Sequence, residues 1–207
     1  MMQPSWIVCG WFTPDYRDWW NKLRKQLDMI GAPHDFVEVR KEDGGWEANT
    51  MRKAGQVLAA MDRHPDKTII FIDVDCSVPG GYAGLAKLAQ INGDVGLYFR
   101  TKWSRRGKSR SGARSGTMVL RPTLQARAFV AAWVAETSVA PRYAVDQDSL
   151  AVALGRAPDL SVTYLDVKYC AVRADKCPDP VIFHDSASLH TKTGKLTKLF
   201  SRIKLAA

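Results

Sequence analysis

Ile69-Ile70-Phe71-Ile72-Asp73-Val74-Asp75 is the most informative segment of this 207-residue chain. Four consecutive apolar residues predict a buried strand, and that strand ends at two carboxylates separated by one residue. Residues i and i+2 of an extended chain point to the same side, so Asp73 and Asp75 are placed to share one hard cation. Open α/β folds bind ligands at this carboxyl edge of the sheet. The alternative interpretation is that one aspartate caps the following turn and the other is solvated.

Around this segment, predicted strands and helices alternate along the chain. The predicted strands cover residues 5–9, 35–39, 69–72, 94–99, 116–120, 161–165 and 181–183. The predicted helices cover residues 14–30, 47–62, 82–91, a segment that begins at Pro122, and 146–154. This alternation predicts a single Rossmann-like α/β domain over residues 1–190, with a mostly parallel sheet flanked by helices, followed by a tail at 191–207.

The composition is that of an ordinary globular protein, with 46% hydrophobic and 25% charged residues. No segment approaches the ~20 consecutive apolar residues that a membrane span requires. The first ten residues lack the pattern of a secretory signal. The four cysteines have no C-x-x-C spacing, which argues against a zinc site and favours reduced thiols in a cytoplasmic protein.

The net charge of +9 is concentrated in two segments. Residues 100–114 contain seven Lys and Arg, residues 191–207 contain five, and neither segment contains an acidic residue. The rest of the chain holds 18 basic and 21 acidic residues, so it is mildly acidic. The basic charge is therefore a local electrostatic feature and not a general coat for nucleic acid.

Three further motifs follow the D-x-D segment in order. They are a strand entered through Ser115-Gly116-Thr117, a helix opened by Asp146-Gln147-Asp148, and Phe183-His184-Asp185 after the last strand. In order and spacing this arrangement resembles the GT-A-type glycosyltransferases that use nucleotide-diphospho-sugars, especially the compact bacterial ones. The basic Arg52-Lys53 pair on the helix before the D-x-D matches the same pattern. The resemblance implies a GT-A domain and transfer of a sugar from a nucleotide donor, most simply a UDP-sugar.

The resemblance also implies a metal site. Asp75 would be the main ligand, Asp73 would contact the metal or the ribose, and His184 would supply a distant third ligand. Mn²⁺ or Mg²⁺ suits oxygen ligands, and such an ion neutralises the charge that grows on a leaving diphosphate. A histidine after a strand is equally well explained as a packed residue, so both interpretations of His184 stay open.

Asp146 and Asp148 lie in the first turn of a predicted helix, where the helix dipole favours negative charge. Capping alone explains one of them. The resemblance implies the catalytic interpretation, in which one carboxylate faces the sugar ring, with Asp146 touching donor or acceptor and Asp148 as its neighbour. The D-Q-D form is closest to the sugar-retaining glycogenin-like and lipopolysaccharide galactosyltransferase groups. The chain lacks the H-x-x-G-x-x-K-P-W ending of those groups, so the stereochemical outcome stays open.

The nucleotide would be held by the loop after the first strand, which the resemblance places around the base: Cys9, Gly10, Trp11 and Thr13. Trp11 is either a stacking surface or a core aromatic residue. Lys53 either reaches the nucleotide or lies solvated on its helix. In the basic segment, Arg100 and Lys102 lie nearest the sheet edge and would attract a diphosphate.

The basic segment 100–114 has three interpretations: a lid that closes over the donor, a solvated insertion, or an arm that binds nucleic acid. The third is the weakest, because Trp103 is the only aromatic residue among these basic residues, which is poor support for stacking on bases.

The sequence of the tail predicts a basic amphipathic helix. This helix either docks on the protein or lies on the inner face of a membrane, next to a glycan or lipid-linked acceptor. Two rival functions remain, nucleic-acid binding and a non-catalytic transferase-like fold that only binds ligands. A nucleotidyltransferase ranks lower, because the first loop is not glycine-rich and basic.

Overall fold

A computed structural model describes residues 4–103, 109–141 and 144–185. The tail 191–207 and the predicted end of the domain at residue 190 lie outside these ranges. In the described residues the central sheet has six strands in the order β2-β1-β3-β6-β5-β7. Their bounds are β1 Trp6–Phe12, β2 His34–Glu38, β3 Thr68–Ile72, β5 Val95–Trp103, β6 Ser109–Leu120 and β7 Val162–Tyr164.

Five of these strands run in one direction. β1 pairs in parallel with β2 and β3, β5 pairs in parallel with β7, and β6 is antiparallel to both of its neighbours. The carboxyl ends of β1 and β3 therefore meet at one edge of the sheet. This confirms the predicted α/β class with a mostly parallel sheet.

Six α-helices are present in the described part of the chain. Their bounds are α1 Arg17–Met29, α2 Gly45–Met51, α3 Lys53–Arg63, α4 Gly81–Leu88, α5 Leu124–Val139 and α6 Asp146–Gly155. None of them is long and apolar enough to cross a bilayer.

The two faces of the sheet are covered by different helices. Alternate residues of β3 show this directly, because successive side chains of a strand point to opposite faces. Ile69 and Phe71 pack in a core formed with α3, α5 and α6, whereas Ile70 and Ile72 pack in a core formed with α1 and α4. The four apolar residues before the D-x-D are thus buried on both sides, as the sequence predicted.

A second, smaller sheet lies where the D-x-D ends. It contains β4 Cys76–Ser77, β9 Phe183–His184 and β8 Ala171–Val172, in the order β4-β9-β8. β4 and β9 are antiparallel, and Cys76 is paired with His184. This short ladder brings the chain after the last predicted strand back to the D-x-D.

The structure corrects two details of the predicted elements. The segment 100–114 is not a loop over its described residues, because β5 and β6 pair through it, with Arg100 opposite Gly112 and Thr101 opposite Ser111. The prediction failed because Gly and Ser are common in loops, yet here their small side chains lie across the ladder from longer ones. The predicted helix 47–62 is two helices, α2 and α3, which meet at Arg52.

Candidate functional site

An open cavity of about 180 Å³ lies at the carboxyl edge of β1 and β3. It is lined by residues from the end of β1, the D-x-D, the first turn of α6, and helices α2 and α3. Aromatic residues line part of it, namely Trp11, Phe12, Tyr16 and Trp46. Polar and charged residues line the rest, namely Thr13, Asn49, Thr50, Lys53, Asp73, Asp75, Asp146 and Gln147.

A buried lysine connects two carboxylates in this cavity. Lys53 Nζ lies 2.8 Å from Asp73 Oδ1 and 2.9 Å from Asp146 Oδ2, and only 8% of the lysine side chain is exposed. Burial alone would lower the pKa of Lys53, but the carboxylates of Asp146 and Asp73 more than offset this and raise the pKa. Lys53 is therefore a fixed positive charge, not a solvated helix residue.

Asp146 is held from two sides. Ser115 Oγ donates a hydrogen bond of 2.5 Å to Asp146 Oδ2, the same oxygen that Lys53 contacts. The indole nitrogen of Trp133 donates to the main-chain oxygen of Asp146 and to Ser149 Oγ, which fixes the start of α6. Asp146 is 3% exposed, so it sits in the cavity wall as an oriented, buried carboxylate.

Asp148, two residues later, has a different position. Its Oδ2 accepts a 3.0 Å hydrogen bond from the main-chain nitrogen of Val145, and the side chain does not line the cavity. This is the reciprocal contact of a helix cap. Of the two carboxylates predicted as catalytic, the structure places Asp146 in the cavity and Asp148 at the cap.

Beside the ion pairs, Asp75, Cys76 and His184 form a cluster of metal-ligating side chains. Their ligand atoms all lie within 4.8 Å of one another. Asp75 is fixed by the backbone, because the main-chain nitrogen of Asp185 donates to Asp75 O at 2.9 Å. Asp73, the other carboxylate of the D-x-D, is bound through Oδ1 to Lys53 instead. Burial raises the pKa of Asp73 and the Asp75 charge adds to this, while Lys53 opposes it.

His184 is 7% exposed. Thr117 Oγ1 lies 2.9 Å from His184 Nε2, and Cys76 Sγ lies 3.3 Å from His184 Nδ1. Burial lowers the pKa of His184 to about 4, although the Asp73 charge opposes the shift. The imidazole is therefore neutral at pH 7, which is the form that binds metal ions.

Gly116 makes room for this arrangement. A Cβ at position 116 would lie 2.7 Å from His184 Cε1 and 3.2 Å from Asp73 Oδ2. The Ser115-Gly116-Thr117 segment of β6 thus contributes a contact to Asp146, an open position beside Asp73, and a hydroxyl to His184.

The residues predicted around the nucleobase separate into two groups. Trp11 and Thr13 line the cavity, and the Arg52 guanidinium lies 5.9 Å from the centre of the Trp11 ring. Cys9 is fully buried in the core, and Gly10 lies directly under Phe36, where a Cβ would be 2.3 Å from the Phe36 ring. Neither of the last two faces the cavity.

The basic segment contributes to the site through a residue that was not predicted. Arg114 Nη1 donates to Gln147 Oε1 at 2.6 Å and so holds this cavity residue in place. Arg100 instead pairs with Asp175 at 2.6 Å and does not line the cavity. The side chain of Lys102 lies outside the described part of the structure.

Several cavity residues were missed by sequence reasoning, namely Tyr16, Trp46, Asn49 and Gln147, together with Ser115 and Cys76 behind them. Gln147 and Ser115 belong to the Asp146-Gln147-Asp148 and Ser115-Gly116-Thr117 motifs, so their positions in those motifs were the signal that could have identified them. Trp46 and Asn49 come from α2, where the sequence predicted only a helix that begins at residue 47.

Comparisons with known proteins agree with this architecture. No protein-family model and no curated protein sequence matches the chain. Among solved structures, it is similar to a glycosyltransferase involved in the glycosylation of the major capsid of PBCV-1, with 13% identity, 88% of this chain and 93% of that chain covered, and a TM-score of 0.67.

Two further structures are similar over most of this chain. The glycosyltransferase GlyE of Streptococcus pneumoniae TIGR4 is 12% identical, with 86% of this chain and 54% of that chain covered and a TM-score of 0.58. The galactosyltransferase LgtC, solved with donor and acceptor sugar analogs, is 12% identical, with 86% of each chain covered and a TM-score of 0.54. The strand order, the D-x-D at the sheet edge and these likenesses together show that the chain has the GT-A glycosyltransferase fold.

Proposed function

We propose that this protein is a metal-dependent glycosyltransferase that moves a sugar from a nucleotide-diphospho-sugar, most simply a UDP-sugar, to a glycan or lipid-linked acceptor. The observation that carries the proposal is the cavity in which Lys53 joins Asp73 of the D-x-D to Asp146 of α6. On a GT-A fold this cavity lies at the sheet edge where such folds bind ligands.

The side chains present fit a divalent cation. Asp75 offers carboxylate oxygens and His184 a neutral imidazole, a set that suits Mn²⁺ and also accepts Mg²⁺. Asp75 and His184 would hold the ion, and Asp73 would complete the site from its second carboxylate oxygen or contact the ribose. When bound, the ion supplies positive charge to the leaving diphosphate.

Lys53 positions the two carboxylates that flank the sugar side of the cavity. Because its ammonium contacts both Asp73 and Asp146, it fixes their separation before any ligand arrives. Preorganised charges act without the cost of reorientation during the reaction. Asp146 accepts from Lys53 and Ser115, so it serves better to orient sugar hydroxyls and stabilise positive charge on the ring than as a free base.

The aromatic residues of the cavity provide the surface for the nucleobase. Trp11 lies under the Arg52 guanidinium, and Trp46 also lines the cavity, with 43% of its surface exposed. Stacking on an aromatic ring contributes about 1–3 kcal/mol per base. Gln147, held by Arg114, adds an amide that faces the same cavity.

Nucleic-acid binding through the basic segment has weaker support. Two of its arginines are used within the protein, Arg100 on Asp175 and Arg114 on Gln147. Arginines bound in this way contribute less to the phosphate contacts on which such binding depends.

The proposal is tested by measuring release of nucleoside diphosphate from a panel of nucleotide sugars, with Mn²⁺ or with EDTA. We expect release from one donor class with Mn²⁺, none with EDTA, and at least about a hundredfold slower release by Asp146→Asn. Arg127→Ala, on the far side of the molecule in a surface pair with Asp62, is the matched control and should release at the wild-type rate. Donor binding without release would indicate the non-catalytic fold, and binding of DNA or RNA alone would contradict the proposal.

A further inference from the structure

We propose that Cys76 is a ligand of the metal ion in this site, and that the site therefore binds Zn²⁺, Co²⁺ or Cd²⁺ through sulfur as well as Mn²⁺ through oxygen and nitrogen. The inference rests on the proposed function only in that Asp75 and His184 hold the ion. It adds a ligand that the D-x-D pattern does not contain.

The backbone brings the three side chains together. Cys76 and His184 are directly paired across the antiparallel β4–β9 ladder, and Asp75 is joined to the residue after His184 by the 2.9 Å hydrogen bond from the Asp185 main-chain nitrogen. Two of the three ligands therefore lie on paired strands, and the third, Asp75, immediately precedes β4 and is tied to β9 by a main-chain hydrogen bond.

The spacing suits a soft tetrahedral ion. Zinc binds sulfur at about 2.3 Å and nitrogen at about 2.0 Å, which places the two ligand atoms about 3.5 Å apart. Cys76 Sγ lies 3.3 Å from His184 Nδ1 and 3.7 Å from Nε2. The two nearly equal distances place the thiol over the face of the ring, so the imidazole must turn about its Cβ–Cγ bond before Nδ1 and the sulfur point at one ion.

The surroundings occupy one of the two ring nitrogens of His184. Thr117 Oγ1 lies 2.9 Å from His184 Nε2, so this nitrogen has a hydrogen-bonding partner and Nδ1 is the nitrogen left to bind an ion. A partner on one ring nitrogen is how proteins fix the other as a metal ligand. Gly116 leaves open the space in which the ring lies.

The presence of a thiolate ligand determines which metal ions the site prefers. Thiolate selects Zn²⁺ and related soft ions, whereas carboxylate and water suit Mn²⁺ and Mg²⁺. When a soft ion binds, the sulfur–metal bond replaces the S–H bond and the proton leaves to solvent, with no change of oxidation state. When Mn²⁺ binds, it uses Asp75 and His184 and leaves the thiol protonated.

A second cluster makes a control possible. Cys9, Asp35 and His64 also have ligand atoms within 4.8 Å of one another, on the far side of the core. There Asp35 Oδ2 is already contacted by Arg63 Nε at 2.7 Å and by His64 Nε2 at 2.8 Å, and the cation of Arg63 opposes a metal ion. Cys9→Ser thus removes a buried thiol without touching the proposed site.

The experiment adds Co²⁺ to the metal-free full-length protein and records the sulfur-to-cobalt charge-transfer absorption in the near ultraviolet. We expect the band in the wild type and in Cys9→Ser, and its loss in Cys76→Ser and Cys76→Ala. Competition titrations should show Zn²⁺ affinity at least about tenfold lower in Cys76→Ser, with Mn²⁺ affinity nearly unchanged. Circular dichroism and unfolding curves establish that each variant is folded, and either Cys76 variant alone suffices.

Two results would overturn the inference. The first is no charge-transfer band in a wild type that still binds Mn²⁺ and nucleotide, which would leave the proposed function standing. The second is a band lost in Cys9→Ser and kept in both Cys76 variants, which would move the thiolate to the other cluster. A wild type that binds neither Mn²⁺ nor Co²⁺ would contradict the metal-dependent function itself.

Discussion

Replacing Lys53 by methionine should destabilise the protein strongly, because it leaves two carboxylates facing each other without their shared cation. Asp146 is 3% exposed and retains only the Ser115 hydroxyl as a side-chain donor to its Oδ2. Asp73 loses the 2.8 Å contact of its Oδ1. Methionine has a similar length, so the loss is electrostatic and not a cavity.

The size of the effect follows from burial. Removing one partner of a buried ion pair costs about 3–5 kcal/mol, because the remaining charge is uncompensated. The contact with Asp146 carries most of this, whereas the contact with Asp73 is discounted because 32% of that side chain reaches solvent. For a chain of this length, about 3–5 kcal/mol lowers the melting temperature by roughly 6–20 °C.

The assay is urea and thermal unfolding of Lys53→Met beside Lys41→Met, without metal or nucleotide. Lys41 makes a 2.5 Å pair with Asp15 in which both side chains are about half exposed, so its loss should cost less than about 1 kcal/mol. Adding Asp146→Asn to Lys53→Met removes the stranded charge and should restore about half of the lost stability. If Lys53→Met were as stable as Lys41→Met, the buried charge bridge would not exist as described.

Three further outcomes are expected. The folded-state pKa of His184 is about 4, below its unfolded value, so the neutral imidazole contributes fully to the free energy of unfolding above about pH 6.5, and this contribution is lost as the pH falls towards 4. In EDTA, we expect unfolding curves of the wild type to show a loss of about 3 kcal/mol over this range, and His184→Asn should abolish that loss. Gly116→Ala should displace the His184 ring, cost about 1–3 kcal/mol and weaken Mn²⁺ binding measured by calorimetry, whereas Gly112→Ala, with open space around it, should do neither. Asp148→Ala should lose a cap worth about 1 kcal/mol in thermal unfolding but keep nucleotide affinity, and weaker nucleotide binding would refute its assignment to the cap.

The parts of the fold that could be predicted are those with strong local patterns. The apolar run 69–72 is buried on both faces and ends at the sheet edge, as its composition indicated. The extension of β5 and β6 through residues 100–103 and 109–114 could not be predicted, since this segment contains few of the β-branched and aromatic residues that favour strands and the pairing is tertiary. The two-residue strands β4 and β9 are too short to produce a periodic pattern.

The carboxylates of the candidate site could be predicted from the sequence, whereas the ion pairs and contacts that join them to other residues could not. The D-x-D and Asp146 were identified as candidates from their positions after a strand and at a helix start. That Lys53 would be buried between them depends on how α3 and α6 pack, which no local pattern records. The cysteine spacing argued against a zinc site, whereas the Asp75, Cys76 and His184 cluster joins one cysteine to a histidine far along the chain through β4 and β9.

Calorimetric titration with UDP, in Mn²⁺ and in EDTA, tests the central claim most directly. The account predicts binding in Mn²⁺ that is weakened at least about tenfold by EDTA, and the same weakening in Asp75→Asn in the presence of Mn²⁺. The other nucleoside diphosphates, titrated in parallel, would identify the base if UDP is not preferred. Metal-independent binding, or equal affinity in Asp75→Asn, would contradict a metal-dependent donor site at the D-x-D.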